Sequence, residues 1–150
     1  MDKELLLAYQ RKLIYACLDD FSGISAMGGY AGGQDGPTPH LWWQASVDFL
    51  YRNLVCGLIE PNPAHVDFPI ANSFELCQIF ASNKPNEALF WFYIQFNATS
   101  TLSAIVQSYN LLDWTHINAP LALDFMEEIQ RVYTSKEVSL SKVVLIPIHQ

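Results

Sequence analysis

Residues 38–59, TPHLWWQASVDFLYRNLVCGLI, constrain this fold more than any other stretch. Thr38 and Pro39 supply an N-cap and a proline at the first helical position, so a helix is expected over residues 39–57. Trp43, Val47, Leu50, Leu54 and Leu58 form one apolar stripe on it. Trp42, Ala45, Phe49 and Cys56 form a second, which leaves Gln44, Asp48 and Arg52 as a narrow polar strip. A helix that is apolar over most of its circumference has to sit near the centre of a fold. Asp48 and Arg52 stand four apart and read as a supporting surface pair rather than as catalytic groups.

More helices surround it. Residues 3–20 place Leu6, Leu7, Leu13, Ile14 and Cys17 near helical spacing, with Lys3, Gln10, Arg11 and Lys12 outside. Asn72 with Glu75 makes a capping box and opens a short helix through about Ser82. Residues 86–96, NEALFWFYIQF, are two-sided: their aromatics favour a strand, whereas their length and place after Pro85 favour a buried helix, the reading adopted. Residues 100–113 give a further helix. Asn118 and Pro120 start a last one, with Ala122, Phe125, Met126, Ile129 and Val132 on one face and Asp124, Glu127, Glu128 and Arg131 off it. Residues 60–73 are loop, broken by Pro61, Pro63 and Pro69. The tail KVVLIPI is β-branched, but Pro147 makes it an edge strand or an extended strap. The expected architecture is mainly α: a single-domain helical bundle over residues 1–150, with at most a short C-terminal β or extended segment. A chain of 150 residues buries about 70% of its unfolded surface, enough for one core.

Six of the seven glycines fall between Gly23 and Gly36. Gly28 and Gly33 have the spacing of a phosphate loop, yet Gln34-Asp35 stand where Lys-Ser or Lys-Thr is needed, and no strand precedes them. No G-x-G-x-x-G occurs for a dinucleotide. Residues 23–37 are therefore expected to form a mobile, solvent-exposed loop, with Tyr30 and Asp35 free to contact a partner.

Other chemistry finds little support. His40, His65, His116 and His149 are scattered without metal-ligand spacing, and no cofactor is expected. Cys17, Cys56 and Cys77 lie among apolar residues that raise thiol pKa, so they read as buried free thiols. No G-x-S-x-G elbow is present, and the adjacent carboxylates Asp19-Asp20 and Glu127-Glu128 diverge on a helix instead of sharing a site. Asp19 and Asp20 oppose the helix dipole, which fits a solvated helix end or a partner contact. Trp114, beside Asp113 in an interhelical loop, is the aromatic best placed as an exposed anchor; the other tryptophans read as core.

The net charge is −7, with no cluster of Lys and Arg, which argues against direct nucleic-acid binding. No apolar run approaches the length of a membrane span. The N-terminus lacks the basic start, unbroken apolar stretch and cleavage site of a signal peptide, so a cytoplasmic protein is expected. On that reading, the glycosylation pattern at Asn97-Ala98-Thr99 is a chance match.

Residues 41–63, LWWQASVDFLYRNLVCGLIEPNP, resemble an element of the immunity proteins of bacterial contact-dependent inhibition and related polymorphic-toxin systems. There a tryptophan-led helix runs into a leucine pair and a closing Gly-Leu-Ile. The matching positions are Trp42 or Trp43, Phe49, Leu50, Leu54, Gly57, Leu58 and Ile59. The resemblance implies a non-enzymatic, stoichiometric inhibitor that covers the basic active site of a toxin's C-terminal domain, a nuclease. Acidic side chains would then meet toxin Lys and Arg, with a few aromatics as buried anchors. The candidate contacts are Asp19, Asp20, Tyr30, Asp35, Asp113, Trp114, Asp124, Glu127 and Glu128. The alternative is a small-ligand-binding or regulatory helical domain; an enzyme with an unrecognised site ranks third.

Overall fold

The computed structural model describes residues 2–63 and 72–150. His65, Pro69 and most of the expected proline-broken loop lie outside the described residues. Among the described residues, six α-helices dominate: α1 (Lys3–Leu18), α2 (Pro39–Val55), α3 (Ser73–Ser82), α4 (Phe90–Tyr93), α5 (Ser100–Ser108) and α6 (Leu123–Ser135). The mainly α expectation is met. The confinement of β structure to the C-terminus is not.

Three short strands, β1 (Phe21–Ser22), β2 (Ile59–Pro61) and β3 (Gln95–Ala98), form an antiparallel sheet in the order β1-β3-β2. Phe96 pairs with Phe21 on one side and Pro61 on the other. Its ring is fully buried and stacks on Phe21 at 5.6 Å. This corrects the helix expected over residues 86–96. Only four residues of it, Phe90–Tyr93, are helical, and Ile94 turns the chain so that Phe96 beyond it serves the middle strand.

Local chemistry explains several helix ends. The Asp2 carboxylate caps α1, accepting from the amides of Glu4 and Leu5, and Asn72 caps α3 by accepting from Glu75 N at 2.9 Å. At the end of α2, Gly57 takes φ +65. Its amide and that of Leu58 then close on the carbonyls of Leu54 and Asn53, which stops the helix. Pro39 opens α2 as expected, but Thr38 does not cap it; the Thr38 hydroxyl donates to Ala31 O.

One side chain of α1 departs sharply from the expected pattern. Gln10, expected outside, is fully buried. Its amide donates to Pro120 O at 3.0 Å and accepts from Ala122 N at 2.7 Å. That pair of bonds holds residues 120–122 out of helical geometry, so α6 starts at Leu123 and not at Asn118 or Pro120.

The largest difference is the polar strip of α2. Asp48 and Arg52 are only 3% and 2% exposed, and they do not pair with each other at ion-pair distance. Residues 138–148 lie along the strip instead. Arg52 donates to the carbonyls of Val138, Ser139 and Lys142 and to the Tyr9 hydroxyl. Asp48 accepts from the amides of Leu145 and Ile146, while Gln44 bonds Ile146 O and Ile148 N. The tail is thus an extended strap whose backbone is satisfied by helix side chains instead of by a neighbouring strand.

The glycine segment is an exposed loop only in part: Gly28, Gly29, Gly32 and Asp35 are exposed. Two 3-10 turns, Gly23–Ser25 and Tyr30–Gly32, fold it onto the body. Ala26 and Met27 are buried, and a Cβ on Gly23 would stand 2.7 Å from the Phe80 ring.

Candidate partner-binding surface

The residues expected to meet a partner fall into four groups. On α6, the buried side is Phe125, Met126, Ile129 and Tyr133, and the polar side carries Asp124, Glu127 and Glu128. The 3.6-residue period puts these acids three and four apart, on one surface. Glu128 accepts from Arg131 at 2.6 Å in an exposed ion pair. Among the described residues, neither Asp124 nor Glu127 has a cation at ion-pair distance.

The second group is the turn Trp114–His116. Asp113 caps it, accepting from Thr115 N at 2.8 Å, and this bond holds its exposed carboxyl below the usual range. Trp114 is 54% exposed, with its ring edge-on to Tyr15 at 5.5 Å. One side of the indole is thus braced by α1 while the other is open, the geometry of a rigid aromatic anchor.

The third group ends α1. Asp19 turns back to accept from Asp20 N, and Asp20 accepts from Asn62 Nδ2 at 3.5 Å, so these two acids serve the local turn and the start of the segment after β2. The fourth lies in the glycine segment. Tyr30 is not a free aromatic: its hydroxyl donates to Asp2 at 2.9 Å, and burial with that bond pushes it up to about 12. Asp35 stands on the rim of a cleft with His40, Lys84 and Asn86. The structure therefore brings together Asp124, Glu127 and Glu128, and separately Asp113 and Trp114. It leaves Asp19 and Asp20 together at the end of α1, and Tyr30 and Asp35 in separate clefts.

No family model, curated protein or solved structure matches this chain. The chemistry of the site must therefore be taken from its own residues. No group of three or more His, Cys, Asp or Glu among the described residues is placed to hold a metal ion. Cys56 is pushed up to about 11 by burial, and Cys77, wholly buried, is raised further, so neither offers a thiolate near neutral pH. Among the described residues, no helix is long and apolar enough to cross a membrane.

Sequence reasoning missed two features. One is the buried polar system of Tyr9, Gln44, Asp48, Arg52, Asn53 and Tyr133, where the Tyr133 hydroxyl donates to Asn53 at 2.7 Å. The other is Lys12, whose ammonium lies 4.5 Å from the centroid of Tyr15 and 5.4 Å from that of Phe21. A polar strip on an otherwise apolar helix was the available signal for the first. For the second, the sequence shows only one base among others.

Proposed function

We propose that this chain is a non-enzymatic, cytoplasmic immunity protein that neutralises a cognate bacterial toxin domain by covering its basic, nucleic-acid-cleaving site. The observation that carries this reading is the outer face of α6. Its acids are mounted on a helix locked to the core by Phe125, Ile129 and Tyr133, so binding would order their side chains but not their backbone. The net charge of −7 adds long-range attraction for a basic partner. Trp114 supplies an exposed aromatic that a toxin pocket could enclose. The likeness of residues 41–63 to immunity proteins supports a toxin domain as the class of partner. Of its residues, Trp42, Trp43, Phe49, Leu50, Leu58 and Ile59 are buried, so they offer no interface.

The test is genetic and biochemical together. The gene should sit beside that of a large secreted toxin, and the purified chain should inhibit that toxin's C-terminal domain at one-to-one stoichiometry. A neighbouring toxin domain that retains full activity with the chain in excess refutes the proposal. A second reading, a small-ligand-binding domain, is favoured by a groove of about 330 Å³ between α1 and the glycine segment.

A further inference from the structure

That groove is walled by Leu7, Ala8, Met27 and Ile117, and two cations of α1, Arg11 and Lys12, line it. Its glycine side is open: nothing lies within 4 Å of where a Cβ on Gly28 or Gly29 would stand. Lys12 is half-buried over its two aromatic rings, and no acid of the described residues reaches it at ion-pair distance. Glu4, the carboxylate of the groove, accepts from Ala31 N at 3.0 Å. An ammonium taken out of water without a counter-charge is costly, and the rings offset only part of that cost. Burial pushes Lys12 down to about 8. An anion would complete this arrangement.

We propose that the groove binds a small organic carboxylate, its charged end on Lys12 and Arg11 and its apolar body against Leu7, Met27 and Ile117. The apolar wall and the charge of the chain together select this class. A net −7 repels a bare inorganic anion at long range, so affinity must come from burying carbon as well as from pairing charge. The inference rests on the small-ligand reading and is independent of any toxin.

Phenylacetate is a suitable probe, with phenylacetamide as its uncharged counterpart and inorganic phosphate as a bare anion, each titrated into the full chain by NMR and calorimetry. Phenylacetate should bind saturably at pH 7 and shift the amide signals of Gly28 and Gly29, with phenylacetamide and phosphate each at least tenfold weaker. Lys12→Met, which keeps the stem and removes the charge, should lose at least tenfold for phenylacetate; Lys12→Arg should retain it. Glu4, Arg11 and Tyr15 face the groove from α1, Tyr30 faces it from the glycine segment, and His116 adjoins Ile117. The affinity of the wild type should fall between pH 7 and 9.5, and that of Lys12→Met should stay level. Equal binding of acid and amide would overturn the carboxylate assignment while leaving a ligand groove. Equal binding of phosphate and phenylacetate would overturn the role of the apolar wall. Absence of saturable binding by all three would overturn the site itself.

Discussion

Asp48 puts a carboxylate where water does not reach, and burial pushes it up to about 6 despite its bonds from Leu145 N, Ile146 N and Gln44. The charged form is thus disfavoured in the fold relative to the open chain. Its contribution to stability is fullest below about pH 4 and is lost as pH rises through about 6. Asp48→Asn keeps one acceptor oxygen and cannot ionise. Urea titrations of both proteins should show the wild type losing on the order of 2–3 kcal/mol relative to the variant between pH 4 and 7. A constant difference across that range would show that Asp48 does not titrate with folding. Arg52 is the opposite case, a buried cation wrapped by three carbonyls and a hydroxyl. Arg52→Met leaves Val138 O and Lys142 O without the donor they have here, while Ser139 O keeps its bond from Lys142 N, and should cost ~3–5 kcal/mol in the same titration. A loss under about 0.5 kcal/mol, the range of surface substitutions, would mean that water already serves these groups.

Elements with their determinants close in sequence could be read directly. Pro39 at the start of α2 and Asn72 at the start of α3 mark true boundaries, and the two apolar stripes of α2 do carry buried Trp43, Val47, Phe49 and Leu50. Leu50→Ala should accordingly cost ~2–5 kcal/mol in chemical denaturation. Elements decided by distant partners could not be read. Residues 95–98 become a strand because residues 21–22 and 59–61 flank them, and nothing local to an aromatic run announces that pairing. The glycine segment misled for a related reason. Backbone freedom argues for motion, but a residue without a side chain also lets two layers touch, as Gly23 does against Phe80 and Trp91. Gly23→Ala should lower stability by ~1–3 kcal/mol through overpacking, whereas a freely exposed loop would show almost no change in melting temperature.

Across the whole molecule, charge and aromatic exposure decide how a partner would meet this chain. Reversing Asp124 and Glu127 to Lys should leave the melting temperature nearly unchanged, since both side chains are exposed. It should slow association with the cognate toxin domain at least tenfold at low salt, an effect fading as salt is raised, in stopped-flow measurements. An unchanged association rate would remove α6 from the interface. The acids of α6 were legible because helical period alone separates them from Phe125 and Ile129. The strip Gln44-Asp48-Arg52 has the same appearance in sequence, and only the course of residues 138–148 distinguishes a covered strip from a wet one. That course also sets an order of events during synthesis. Both α1 and α2 leave the ribosome early, yet the strand that joins the sheet comes some forty residues after α2, and the groups that satisfy Arg52 come later still. A nascent chain therefore carries a half-solvated α2, open to chaperones and proteases, until residues 138–148 are delivered and the helix becomes an interior.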